Sequence, residues 1–232
     1  MTMTALAESI RSGLQAIADP ARAPAMQAYM KSAMPYMGVS AVPLRRFCAS
    51  AFAGLSWNDS PAWQGDVLAI WRSAQFREER YAAIALASVP AAGPFQNTSA
   101  LPLYEEMIVT GAWWDYVDAI AGLQLWTLLQ NDRPAMAEAM RRWATDPDIW
   151  KRRSAILCQL RAKAATDVDL LYACIEPSLD SREFFLRKAI GWALRQYART
   201  DPDEVRRYVS RNETRLSSLS RREALKHIKD PA

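Results

Sequence analysis

The chain has 232 residues, a formal net charge of +4 and a hydrophobic fraction of 50%. That balance is globular and supports a sizeable core, which excludes disordered and collagen-like classes. Eight glycines argue against a glycine-rich phosphate loop, and a lone histidine, His227, removes histidine-based hydrolase schemes and almost every histidine-ligated metal site. Cys48, Cys158 and Cys174 are odd in number and lack paired spacing. Neither a zinc site nor a disulfide framework is expected, and reduced cytoplasmic thiols are the simple reading. No cofactor is expected. No apolar run reaches the length of a membrane span, and no basic stretch followed by an apolar one opens the chain.

Charge is unevenly spread. Residues 1–130 carry 8 basic and 10 acidic groups, and residues 131–232 carry 21 basic and 15 acidic groups. A basic second half suggests a polyanionic partner, although ordinary solvated arginines would give the same balance.

Along the chain the pattern is helix after helix, rich in Ala, Leu, Arg, Met, Glu and Gln with apolar residues recurring at three and four. Breaks fall at Asp19-Pro20, Met34-Pro35, Val42-Pro43, Asp59-Ser60-Pro61, Val89-Pro90, Asp132-Arg133-Pro134, Asp146-Pro147-Asp148, Glu176-Pro177 and Asp201-Pro202-Asp203. An Asp or Ser beside Pro marks a helix start, because the side chain caps free amides and Pro fits the first turn. About a dozen helices and no strand are expected. Residues 91–98 form the longest irregular piece, within a single domain over residues 1–232.

An Ala-Ile pair recurs at Ala83-Ile84, Ala119-Ile120, Ala155-Ile156 and Ala189-Ile190, at spacings of 36, 36 and 34. A two-helix unit of this length predicts an all-α, HEAT-like repeat α-solenoid, an α-α superhelix with a concave basic groove. The Ala lets neighbouring helices approach, and the Ile fills the space between layers.

With each Ile as a register mark at 0°, Trp114, Asp118, Arg153 and Trp192 project at roughly 120°, 160°, 60° and 200°. They share an arc of about 140° away from the Ala-Ile core, on three successive repeats. One wall is therefore expected to bear two indoles, a carboxylate and a guanidinium. Trp57, Trp63, Trp71, Trp126 and Trp143 are expected to pack in the core. Of the adjacent pair Trp113-Trp114, only one can be buried unless the helix is nearly surrounded, and Trp114 is expected to face outward. Asp118 is equally able to pair with Arg153 as a structural contact. Indoles bind cationic or flat groups, arginine clamps phosphate, and a carboxylate stabilises an oxocarbenium-like sugar. Arg152, Arg187, Lys188 and Arg195 lie on the same helices and widen the basic surface. The set describes a nucleic-acid groove with one acid in its middle.

Several stretches resemble the AlkD-like DNA alkylation repair family, in order and over nearly the whole chain. They are Tyr29-Met30-Lys31, Gly38-Val39 with Pro43-Leu44-Arg45-Arg46, Trp113-Trp114-Asp115-Tyr116-Val117-Asp118 and residues 149–156. Residues 183–192 and 219–227 continue the match. The loop between Gly38 and Pro43 is one residue longer than the family's pattern. The resemblance implies a HEAT-like DNA glycosylase that removes 3-methyladenine and 7-methylguanine from duplex DNA as a monomer, without deep base flipping. It implies Asp118 as the catalytic acid residue, Trp114 and Trp192 as indoles bracing the lesion nucleotide, and Arg153 as a phosphate contact. Tyr29, Arg45 and Arg46 fall among its DNA contacts. The competing reading is a non-catalytic repeat scaffold that binds distorted DNA or a protein.

Overall fold

The computed structural model describes residues 4–228. Among them are fourteen α-helices and no strand. The chain divides into two compact units between Leu103 and Tyr104, about five residues beyond the irregular piece expected at 91–98, part of which is a 3-10 turn, Pro90–Phe95. No helix among the described residues is long and apolar enough to cross a membrane.

The first unit contains α1 (Ala5–Ala16), α2 (Ala23–Met30), α3 (Ala41–Ala51), α4 (Ser60–Ser73) and α5 (Arg77–Leu86). α6 (Leu101–Gly111) begins at the division. Helices α1, α3 and α4 all pack on α5. Asp59 caps α4 as its sequence predicts, its carboxylate accepting from the Ala62 amide at 2.8 Å. Trp63 and Trp71 are fully buried, whereas Trp57 is half-buried and donates to Asp66 at 2.8 Å.

One buried carboxylate shapes this unit. Glu78 on α5 accepts from three successive amides, Met37, Gly38 and Val39, at 3.0, 2.9 and 3.1 Å. That satisfies a buried loop which would otherwise leave donors orphaned. Gly38 has φ +86°, and a Cβ there would lie 2.0 Å from the Asp19 carbonyl oxygen. Both the left-handed backbone and the close approach require glycine.

The second unit contains α7 (Trp114–Ile120), α8 (Trp126–Asn131), α9 (Arg133–Ala144), α10 (Ile149–Leu157), α11 (Val168–Ile175), α12 (Phe184–Tyr197), α13 (Pro202–Arg211) and α14 (Ser218–Leu225). Two rows result. α7 packs on α10, and α10 on α12. Behind them α9 packs on α11, and α11 meets α13 through stacked Tyr172 and Tyr208 rings 4.0 Å apart. Such paired rows are an α-solenoid arrangement. Asp132, Asp148, Asp167 and Asp201 cap the starts of α9, α10, α11 and α13. A five-residue π turn, Ala121–Leu125, joins α7 directly to α8.

The Ala-Ile mark lies in the core in three of its four copies. Ala83, Ala155 and Ala189 are buried together with Ile84, Ile120, Ile156 and Ile190. Ala119 is exposed instead. Helix α7 buries Tyr116, Val117 and Ile120, and that stripe turns position 119 outward.

The last helix buttresses the row. Ser220 on α14 donates to the Arg187 carbonyl at 3.0 Å. Gly191 on α12 lies so near α14 that a Cβ would sit 2.6 Å from Glu223 Cβ and 3.0 Å from the Ser220 carbonyl oxygen. Residues 219–227, a stretch with no chemistry of its own, are therefore what holds α12 in place.

Candidate functional site

Asp118 lies on α7 opposite the buried stripe, one turn beyond Trp114. Its carboxylate is gripped from α10. Arg153 Nε donates to Oδ1 at 2.7 Å and Nη2 to Oδ2 at 2.8 Å. Arg153 Nη1 donates to the Phe185 carbonyl on α12. One guanidinium thus ties three successive helices together. It is 4% exposed and lies 5.9 Å from the Phe185 ring centroid.

Arg153 was expected as a phosphate contact on an open surface. The structure instead places it beneath that surface, in the bidentate pair with Asp118 that its spacing also allowed. Planar fork geometry favours this pairing over a single-point contact. Burial raises the Asp118 carboxyl above the ordinary value of 3.8, Arg153 pulls it back, and Asp115 adds to the rise.

Trp114 and Trp192 are both half-buried, each leaving part of an indole accessible. Trp113 is the member of the adjacent pair that packs. It lies 6.2 Å from Trp150 and 5.6 Å from Phe185, and those two rings are 4.9 Å apart. The cluster spans the N-terminal ends of α7, α10 and α12 and seats the guanidinium. Sequence reasoning gave Trp150 and Phe185 no role. The signal was present, because Trp113, Trp150 and Phe185 are 37 and 35 residues apart, close to the repeat period.

The basic residues expected to widen the surface fall into different surroundings. Arg152 is held by neutral groups, with Nη2 donating to Ser178 Oγ at 2.9 Å and to the Pro177 carbonyl. Arg187 is half-buried, its Nε without a hydrogen-bond partner. Lys188 and Arg195, expected as free cations, both pair with Glu223 of α14. One carboxylate serves both and offsets one of the two charges, and the missed residue is Glu223, 28 positions beyond Arg195, which no local spacing connects. In the first unit, Tyr29 is 79% exposed on α2, and Arg45 and Arg46 are exposed on α3.

The three cysteines are buried and unpaired. Burial pushes the Cys48 thiol up to about 11 and the Cys174 thiol up to about 12, which keeps them protonated and unreactive.

The model of the DNA alkylation repair enzyme family matches residues 10–228. A solved structure described as a predicted DNA alkylation repair enzyme from Enterococcus faecalis is similar, with a TM-score of 0.75 and 27% identity. The match covers 92% of this chain and 98% of that one. A search of the curated proteins finds no match. The helical rows and a family match over nearly every residue agree: the chain belongs to the DNA alkylation repair enzyme family.

Proposed function

We propose that the protein is a monofunctional DNA glycosylase that hydrolyses the N-glycosidic bond of positively charged N3- and N7-alkylated purines, chiefly 3-methyladenine and 7-methylguanine, in duplex DNA. The observation that carries this reading is the Asp118 carboxylate, fixed by buried Arg153 and carried on adjoining helices with the partly open indoles of Trp114 and Trp192.

The chemistry follows from the lesion. Alkylation leaves the purine cationic, so it departs with the glycosidic electron pair as a neutral base and needs little acid assistance. The difficulty is the oxocarbenium sugar left behind. A carboxylate has about four lone-pair sites, and the Arg153 fork occupies two. The remaining sites are free to face the sugar cation and to orient a water whose oxygen bonds to the anomeric carbon. The water proton passes to Asp118 or to solvent. Trp114 and Trp192 brace the deoxyribose through their electron-rich faces. Arg153 is a positioning residue in this scheme, and Arg152, Arg187, Tyr29, Arg45 and Arg46 supply contacts to DNA.

Selectivity then rests on lability of the cationic lesion rather than on a deep base pocket. On a duplex carrying uracil, a neutral base, release is expected to be undetectable under conditions that discharge 3-methyladenine fully. Efficient uracil release, measured by chromatography of the freed bases, contradicts the mechanism.

One observation favours the scaffold reading. The Asp118–Arg153 pair is closed and bidentate, as a purely structural tie between repeats would be. Under that reading the wild-type protein binds DNA or another partner and excises nothing.

A further inference from the structure

The two helices that carry Arg153 and Trp192 end at a second feature. Beyond the C-terminal ends of α10 and α12 lies a pocket of about 490 Å³. Arg161, Lys163, Gln196, Tyr197, Arg199 and Thr200 contribute to its lining, and none of the lining residues is acidic. The side chains of Arg161, Lys163 and Arg199 are exposed and have no ion-pair or hydrogen-bond partner among the described residues. On the same two helices Arg153, Lys151, Lys188 and Arg195 are paired with carboxylates, whereas Arg152 is held by neutral groups.

The cations are not explained as helix caps. Backbone amides already take the carbonyls of Leu157 at the end of α10, of Gln159 in the turn after it, and of Leu194 and Tyr197 at the end of α12, at 3.1, 2.9, 2.8 and 2.8 Å. The loop is also built rather than loose. Buried Gln159 bonds Asp167 in both directions, at 2.9 and 2.8 Å. Lys163 is held at φ +52°, a strained conformation for a residue with a side chain. Three uncompensated positive charges around one cavity favour a multiply oxygenated anion.

We infer that this pocket binds a backbone phosphodiester of the DNA strand, flanking the nucleotide held at Asp118; the inference rests on the DNA-repair reading above. Ile156, part of its lining, is one helical turn beyond Arg153, about 5 Å along the axis. A strand crossing the row from the aromatic ends of the helices toward their C-terminal ends brings a neighbouring phosphate to the pocket.

The test is the salt dependence of binding to an unmodified duplex by fluorescence anisotropy, with wild-type excision of methylated DNA assayed in parallel. The triple variant Arg161→Ala, Lys163→Ala, Arg199→Ala is compared with Arg142→Ala, Arg207→Ala, Arg211→Ala. The control removes equal charge from α9 and α13, and thermal unfolding verifies that both fold. Each lost phosphate contact lowers the slope of log K against log salt by about 0.9. The pocket variant is expected to lose one such step and to bind about tenfold more weakly at intermediate salt, while the control keeps the wild-type slope. An unchanged slope in the pocket variant, or the same loss in the control, overturns the inference while leaving excision by the wild type to stand. The expected slope change in a wild type that excises nothing keeps the pocket and refutes the glycosylase. Inorganic phosphate and pyrophosphate, titrated by calorimetry, distinguish the source: binding of either by the wild type without a slope change assigns the pocket to free phosphate and overturns the DNA assignment.

Discussion

Asp118→Asn is expected to lower excision of 7-methylguanine from duplex DNA by at least about 100-fold, while affinity for unmodified duplex stays within a few-fold of wild type. The magnitude is that of removing one preorganised electrostatic group from a transition state that develops charge. Asparagine keeps the shape and can still accept from Arg153 through its carbonyl, so the helix tie survives in part. What disappears is the negative charge facing the sugar cation. The measurement is single-turnover release at saturating protein. The same group sets an acid limb. Because burial raises the Asp118 carboxyl, the ionised form is lost as pH falls while the pH is still above 3.8, and excision falls with it. Asp118→Asn is expected to lack that limb. A variant that excises as fast as wild type would remove Asp118 from the chemistry.

Arg153→Ala acts on a different link, stability. The Arg153 side chain is 5% exposed and that of Asp118 12%. Deleting the guanidinium leaves a buried carboxylate without its counter-charge, beside Asp115, and frees the Phe185 carbonyl. Breaking such a pair on one side costs about 3–5 kcal/mol. For a chain of this size that corresponds to a fall in unfolding midpoint of about 10 °C. The Asp118→Asn, Arg153→Ala double variant is expected to recover part of the loss, because no buried charge is stranded. The sign with pH follows. Without Arg153 the Asp118 carboxyl is raised further by burial, so lowering the pH neutralises it and narrows the deficit. Thermal unfolding of the four proteins at neutral and mildly acid pH measures the coupling. Additive effects would mean that the pair contributes little.

Much of this was legible before any coordinates. The breaks at Asp59, Asp148 and Asp201 marked real helix starts, because capping is local chemistry between a carboxylate and amides two or three residues away, whereas Asp19-Pro20 opens a turn and α2 starts only at Ala23. The Ala-Ile period marked the stacked row, because burial repeats with the structural unit. The Asp118–Arg153 pair could be anticipated because a helix converts spacing into direction. The failures have one physical character. Whether Arg195 is free or neutralised depends on Glu223, which reaches it only because Gly191 lets α14 approach α12. Whether Arg153 faces solvent depends on an aromatic cluster assembled from three helices. Local patterns carry caps and faces. They do not carry the long-range pairing that decides which cations remain free, and Arg161, Lys163 and Arg199, which line one pocket, drew no attention in the sequence.

The most direct test of the central claim is to incubate the purified protein with methylated duplex DNA and separate the released bases by chromatography, beside Asp118→Asn. The account predicts free 3-methyladenine and 7-methylguanine from the wild type and neither from the variant. A folded wild-type protein that binds the duplex and releases no base would contradict it, and the Trp114–Asp118–Arg153–Trp192 set would then stand as a binding surface alone.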